Sequence, residues 1–277
     1  MSIHDLPNLS SQYSLTEDQV ESFQRNGHIY LPQVCSTEEV DIYQKIICNA
    51  AEKSFTQENG ENRPFVQTIN LRYHCHQVMK FVLANRFGQI VSNLISSSTK
   101  SAPAEPSQSV RIFYDKALFK EPRSVITPWH QDMYYWPLVT QHAVSMWMPL
   151  IDIPLEMGPI RFASESHHQG FVKPVAISDQ SQSFFQQWIE DEDYPVWQRS
   201  MKAGDTTFHN GWTIHGSTAN QTDHMRQVMV VTYYPDGTVV DKLSNPSRIH
   251  DAKHFLGGKN AGDLADSEMN PLVYRTS

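Results

Sequence analysis

The sequence predicts a mainly β protein with flanking helices, and three observations carry that expectation. From Val110 onward apolar residues recur with a period near two, as in strands whose alternate side chains face a core. Before that point the spacing is helical and is punctuated by helix-start signals. The chain is 277 residues long with 39% hydrophobic residues, enough for one large barrel or sandwich with added helices.

Residues 1–14 read as a loose leader. Thr16 is an N-cap, with Gln19 three residues on completing a capping box. Val20 and Phe23 then give the helix its apolar face, and Gly27 stops it. HIYLP (28–32) reads as a short strand. Ser36 and Glu39 form a second capping box, followed by Val40, Tyr43 and Ile47 at helical spacing. Residues 53–65 are polar and loop-like; residues 76–95 carry a helical pattern broken near Gly88. SSSTKSAPAEPSQS (96–109) reads as a surface connection rather than a domain linker.

Strands are expected at VRIFYD (110–115), SVITPWHQD (124–132), AVSMWMPLID (143–152), TTFH (206–209) and RQVMVVTYY (226–234). An acidic, aromatic-bearing insert, 175–200, interrupts them and is expected to form a helix and a loop near the surface, a candidate lid over a pocket. The tail, 236–277, is weakly patterned. The expected organisation is one domain, 1–277: leader 1–14, helical support 15–95, β core 110–235 with its insert, and tail.

The formal net charge is −8 and no Lys/Arg run is visible, which speaks against nucleic acid and anionic membrane surfaces as partners. Three cysteines at irregular spacing are no disulfide framework. The first residues have neither a basic nor an apolar signal region, and no apolar run approaches the roughly 18 residues of a membrane span. A reducing, cytoplasmic setting is therefore expected, with oligomeric state left open.

His130-Gln131-Asp132 is the one His-X-Asp in the sequence. On a strand, residues two apart share a face, so His130 and Asp132 project together. The best third donor is His215, after a strand and before a turn; His209 competes for the role, and the spacing to Arg226 favours His215. Two imidazoles and a carboxylate on one face of an octahedron leave three positions open, the donor set of non-haem Fe(II) oxygenases. A chelating keto acid can take two of them and O2 the third. Arg226, 11 residues beyond His215, suits the far carboxylate of such an acid with its rigid charged fork, and Ser217 can add a hydroxyl.

With these residues in hand, the chain over roughly 15–235 resembles the phytanoyl-CoA dioxygenase family of Fe(II)/2-oxoglutarate oxygenases. The resemblance rests on LTEDQVESFQRNGHIYLP, on DKALFKEP (115–122), on WHQD (129–132), on MGPIRFASESHHQG (157–170) and on GDTTFHNGWTIHGSTANQTDHMRQ (204–227). It implies a double-stranded β-helix, a cupin-like jelly-roll barrel, with iron on His130, Asp132 and His215. It implies Arg226 and Ser217 on 2-oxoglutarate, bordered by Gln131, Trp147 and Lys120. FASESH departs from the family's loop by carrying Glu165 where many members have Gly, and halogenating members lack the carboxylate that Asp132 supplies here.

The implied activity is oxidation, foremost hydroxylation, of a small organic metabolite in secondary metabolism, with release of succinate and CO2. Tyr134, Tyr135, Trp136 and Trp212 are candidates to wall the substrate pocket, with core packing as the competing role for 134–136. A non-catalytic jelly-roll binding protein, an acyl-CoA hydroxylase and a hydrolytic zinc enzyme are the rival readings; the net charge disfavours acyl-CoA. His74-Cys75-His76 lacks a matching pair at zinc-site spacing and reads as structural or substrate-adjacent rather than metal-binding. His167 and His168 read as hydrogen-bonding residues of their loop, and Glu190 to Asp193 as a solvated turn.

Overall fold

The computed structural model describes residues 6–55, 65–96 and 108–276. Most of the 53–65 loop and of the 96–109 connection, and the first five residues of the leader, lie outside the described residues. The order is α1 (Glu17–Asn26), β1 (His28–Leu31), α2 (Thr37–Phe55), β2 (Phe65–Ile69), α3 (His76–Val82), α4 (Asn85–Ile95), β3 (Val110–Lys120), β4 (Thr127–His130), β5 (Val144–Pro149), β6 (Ile160–Ala163), α5 (Asp179–Asp191), β7 (Val196–Gln198), β8 (Thr206–Asn210), β9 (His215–Ser217), β10 (Arg226–Pro235), α6 (Pro246–Phe255) and β11 (Leu272–Tyr274). None of the described helices is long and apolar enough to cross a membrane.

Local chemistry explains the first helices. Thr16 and Gln19 exchange side-chain to backbone hydrogen bonds, and Gly27 ends α1 with φ 75°, a left-handed conformation that glycine adopts without a Cβ penalty. Ser36 and Glu39 form the second box at α2. The Glu39 carboxylate also pairs with Arg86 at 2.7 Å, which ties α2 to α4. The helical break expected near Gly88 falls instead at Leu83–Ala84, between α3 and α4. Gly88 lies inside α4 because β11 crosses it closely: a Cβ there would stand 2.8 Å from Cβ of Tyr274.

The strands form two antiparallel sheets. The larger has the order β1-β8-β5-β10-β3-β11, with β2 also paired to β3; the smaller is β4-β9-β6-β7. This is the double-stranded β-helix. Strand alternation divides the large sheet into two faces. Ala117, Phe119, Val144, Met146, Met148, Met229 and Val231 pack outward with Tyr43, Ile47, Phe81, Phe87 and Leu94 of the helices. Lys116, Leu118, Ser145, Trp147, Arg226 and Val230 face inward. β2, β6, β7, β9 and β11, each of three to five residues, were not among the expected strands. The tail is more ordered than its pattern suggests: Asn245 caps α6, and Arg248 pairs with Asp241.

Candidate metal centre

A cavity of about 420 Å³ opens between the two sheets. The antiparallel pairing of β4 with β9 sets His130 directly across from His215. Gln131 is extended, with φ −115° and ψ 127°, so Asp132 returns to the face of His130. Asp132 is not on the strand as the sequence suggested; it opens a one-turn 3-10 helix, Asp132–Tyr134. His130, Asp132 and His215 each offer one donor atom, and these atoms lie within 4.8 Å of one another, close enough to hold one metal ion.

Backbone carbonyls fix both imidazoles in the ligand form. Nδ1–H of His130 donates to the Pro128 carbonyl at 2.8 Å, and Nδ1–H of His215 donates to that of Thr213 at 3.0 Å. The Nε2 lone pairs are thereby turned toward Asp132, at 3.8 and 3.7 Å. Burial holds both imidazoles below the usual histidine range, so they stay neutral, as a metal requires. Burial by itself would raise Asp132, but His215, His209 and His130 outweigh it and keep the carboxyl ionised.

The loop before α5 supports the distal donor. Ile214 N–H donates to Ser166 Oγ, which donates to the Ala163 carbonyl. Glu165 takes the left-handed conformation, φ 72°, that a glycine would adopt more freely, and its N–H donates to the Asn26 carbonyl at 2.9 Å. His167 and His168 reach back to the carbonyls of Gln24 and Arg25, in the last turn of α1. Among the described residues no second group of metal donors occurs, and His74 and His76 are exposed.

His209 also faces the cavity. Its Nε2 is 3.7 Å from Asp132 Oδ2, and neither ring nitrogen has a hydrogen-bond partner although the residue is buried. It stands outside the group of three donors.

On the other side of the donors, Arg226 and Lys120 are cross-strand partners, both buried. Lys120 Nζ donates to Ser217 Oγ and to the Thr218 carbonyl, each at 2.9 Å. Arg226 donates to the Gly158 carbonyl and lies 5.5 Å from the Trp147 ring centroid, while its Nε has no partner. Neither cation forms an ion pair among the described residues. Burial, with Arg226 and Arg161 nearby, lowers Lys120 to about 6, and burial lowers Arg226 to about 9. A buried guanidinium and a buried amine, neither paired with an acid, can accept a carboxylate. Arg161, on β6, stacks on Trp129 at 4.0 Å and adds to this field; nothing in its sequence context singled it out.

Four sequence candidates do not face the cavity. Gln131 is turned away by the same alternation that brings His130 and Asp132 together; its amide bonds the carbonyls of Gly170 and Trp212 at 2.7 Å and so ties two loops. Trp136 is fully buried in an aromatic cluster, with Nε1–H on Tyr114 Oη at 2.9 Å. Trp212 packs edge-on to Phe171 and donates to the Thr140 carbonyl. Tyr134 packs on Tyr135, and of the two only Tyr135 lines the cavity. Missing from the sequence reading are the wall from β2 and β3, with Ile69, Tyr114 and Lys116, and that from α6, with His250, Asp251 and Phe255. The insert contributes Ile177, while α5 docks on β4 through Trp129, bonded to Gln182 and Gln186.

Comparison with known proteins agrees with this geometry. The chain superposes on the non-heme alpha ketoglutarate dependent carbocyclase SnoK from nogalamycin biosynthesis with TM-score 0.74 at 21% identity, covering 94% of this chain and 96% of that one. The epimerase SnoN from the same biosynthesis gives 0.72 at 19%, covering 94% and 98%. EctD from S. alaskensis, solved with 2-oxoglutarate and 5-hydroxyectoine, gives 0.66 at 17%, covering 85% and 83%. Among curated protein sequences none matches the chain. The family model for phytanoyl-CoA dioxygenase (PhyH) matches residues 23–228, a span that holds all three metal donors and both buried cations, and the chain belongs to that family.

Proposed function

We propose that the protein is an Fe(II)/2-oxoglutarate-dependent oxygenase that hydroxylates a small organic metabolite. The observation that carries this reading is the coexistence of a two-His, one-carboxylate donor set with a buried basic pair free of acidic partners: Arg226, which lines the same cavity, and Lys120, bonded to the cavity-lining Ser217. A hydrolytic zinc site has use for the first but not for the second. Iron and its keto acid, when bound, supply oxidative decarboxylation to succinate and CO2 coupled to oxidation of a C–H bond. The chain supplies the geometry. His130, Asp132 and His215 would hold the metal, with His130 and His215 oriented by their Nδ1–H bonds. Lys120, Ser217 and Arg226 would hold the far carboxylate, and Trp147 would wall it.

The cavity volume, about 420 Å³, suits a small metabolite beside the cosubstrate, and the acidic chain offers no basic track for the phosphates of an acyl-CoA. The structurally similar SnoN and SnoK belong to nogalamycin biosynthesis, which favours a secondary-metabolic role over a housekeeping one. Asp132, as the third donor, favours hydroxylation over halogenation. The test is anaerobic addition of Fe(II) and 2-oxoglutarate, followed by succinate measurement on admitting O2. A charge-transfer band present in the parent and absent in Asp132→Ala is expected. An unchanged band, or 2-oxoglutarate that never binds, sinks the reading.

A further inference from the structure

The end of the cavity away from Lys120 and Arg226 has its own chemistry, and much of it comes from α6, beyond the family match that ends at residue 228. Lys116 and Lys120 point inward from the same face of β3. Four residues at the strand rise separate them by about 13 Å. Lys116 therefore belongs to a different part of the cavity from the carboxylate receptor. Opposite it, α6 brings Asp251, with its side chain 12% exposed, and His250 at the rim, 58% exposed.

The helix is fixed to the metal turn rather than draped over it. Arg248 donates to the Met133 and Tyr134 carbonyls at 2.9 and 3.3 Å, and Asn245 donates to that of Tyr134 at 3.2 Å. These carbonyls belong to the turn that Asp132 opens, so the position of Asp251 is coupled to that of the metal donors.

Lys116 and Asp251 both line the cavity, and they do not pair. Among the described residues Lys116 forms no ion pair and lies over the Tyr114 ring at 4.4 Å. The Asp251 carboxylate has one partner, His250 Nδ1, at 3.1 Å. Lys116 is left with the Tyr114 ring and the through-space attraction of Asp132 and Asp251, and Asp251 with the rim His250, so neither buried charge has a close ionic partner from another element. The lining of the same cavity is otherwise apolar at Ile69, Ile177 and Phe255, and Tyr135 is held by the Ile177 N–H at 2.7 Å. A ligand that carries both an ammonium and an anionic group gives each a direct charged partner, which a neutral ligand cannot.

We propose that this end of the cavity is the substrate subsite and that it selects a small zwitterion, its protonated amine held by Asp251 and its carboxylate or equivalent anion by Lys116, with an apolar body between. The proposal rests on the oxygenase reading above and names its substrate class. It makes α6, outside the matched span, a determinant of specificity.

The experiment uses the full chain with Fe(II) and 2-oxoglutarate. Substrate-stimulated succinate formation and the perturbation of the charge-transfer band are measured over a panel of small amino acids whose ammonium and carboxylate are separated by an apolar chain or ring of graded length, their N-acetyl derivatives and their methyl esters. At least one free amino acid should bind and stimulate, and masking either charge should lower kcat/KM at least tenfold. Asp251→Asn should abolish the discrimination against the N-acetyl form and Lys116→Met that against the ester, while 2-oxoglutarate affinity, read calorimetrically, stays within about threefold in both. Esters or N-acetyl forms that bind as well as the free amino acids, or a panel of which no member binds, overturn the proposal. So do variants that keep both preferences. Failure of the parent to bind 2-oxoglutarate overturns the oxygenase reading instead, so the two failures are distinguishable.

Discussion

Replacing Arg226 by Met should act in opposite directions on the ligand-free protein and on its complex with the keto acid. The guanidinium is fully buried, and burial lowers it well below the ordinary guanidinium range, to about 9. That shift corresponds to about 5 kcal/mol of unrelieved desolvation in the absence of an anion. A folded-state pKa below the unfolded one means that this cost is present in full below pH 9 and disappears as pH rises toward the ordinary guanidinium range. Met fills a similar space without the charge, but it forfeits the hydrogen bond to the Gly158 carbonyl and the contact with Trp147. We expect a net gain of about 1–3 kcal/mol, or roughly 2–10 °C in Tm for a chain of this size. The 2-oxoglutarate complex should respond the other way. A charge-assisted, buried contact to carboxylate is worth about 2–5 kcal/mol, so affinity should fall by about 30-fold or more. Differential scanning fluorimetry with Fe(II), with and without 2-oxoglutarate, reads both effects in one plate. A variant that is less stable without ligand and still gains the parent's full thermal shift from 2-oxoglutarate would refute the carboxylate-receptor argument.

Three further outcomes are expected. Lys120 at about 6 is largely neutral at pH 7.5 and should become charged when a carboxylate binds beside it. Binding then takes up as much as one proton, and affinity falls as pH rises above 6; titration calorimetry in buffers of different ionisation enthalpy measures the uptake, and zero uptake at pH 7.5 contradicts the assignment. His209→Leu should retain iron, with stability within about 1.5 kcal/mol of the parent, because His209 makes no hydrogen bond to lose; His215→Leu should lose the metal, and the reverse result by metal analysis would move the distal donor to His209. Arg72→Met should lower stability by about 3–5 kcal/mol, seen as a drop in urea midpoint, because it strands the buried Asp115 carboxylate now paired at 2.7 Å; an unchanged midpoint would show that pair to be dispensable.

Legibility in the sequence followed locality. The capping boxes at Thr16 and Ser36 and the stop at Gly27 involve residues three to eleven positions apart, and each appears as expected. Apolar runs as long as those of β5 and β10 were readable, and so were the shorter β1, β4 and β8; β6, β7 and β9, of three or four residues within loop-rich sequence, were not, because so short a run has no resolvable period. Gly88 misled because its reason is non-local, the crossing of Tyr274 from the far end of the chain.

For the site, the sequence by itself pointed to the donors: His130 and Asp132 share a face because the intervening Gln131 is extended, and His215 with Arg226 follows from their spacing on consecutive strands. The partnering of Lys120 with Arg226 is a register, Lys120 opposite Arg226, and it exists only once β3 and β10 pair. The same dependence moved Trp136 and Trp212 out of the pocket and brought Asp251 and His250 into it. Two of the three metal donors are neighbours along the chain, whereas the far wall of the cavity is assembled from β2 and β3 and from α6, more than a hundred residues further along, and which of their side chains face inward is decided by packing that no local pattern records.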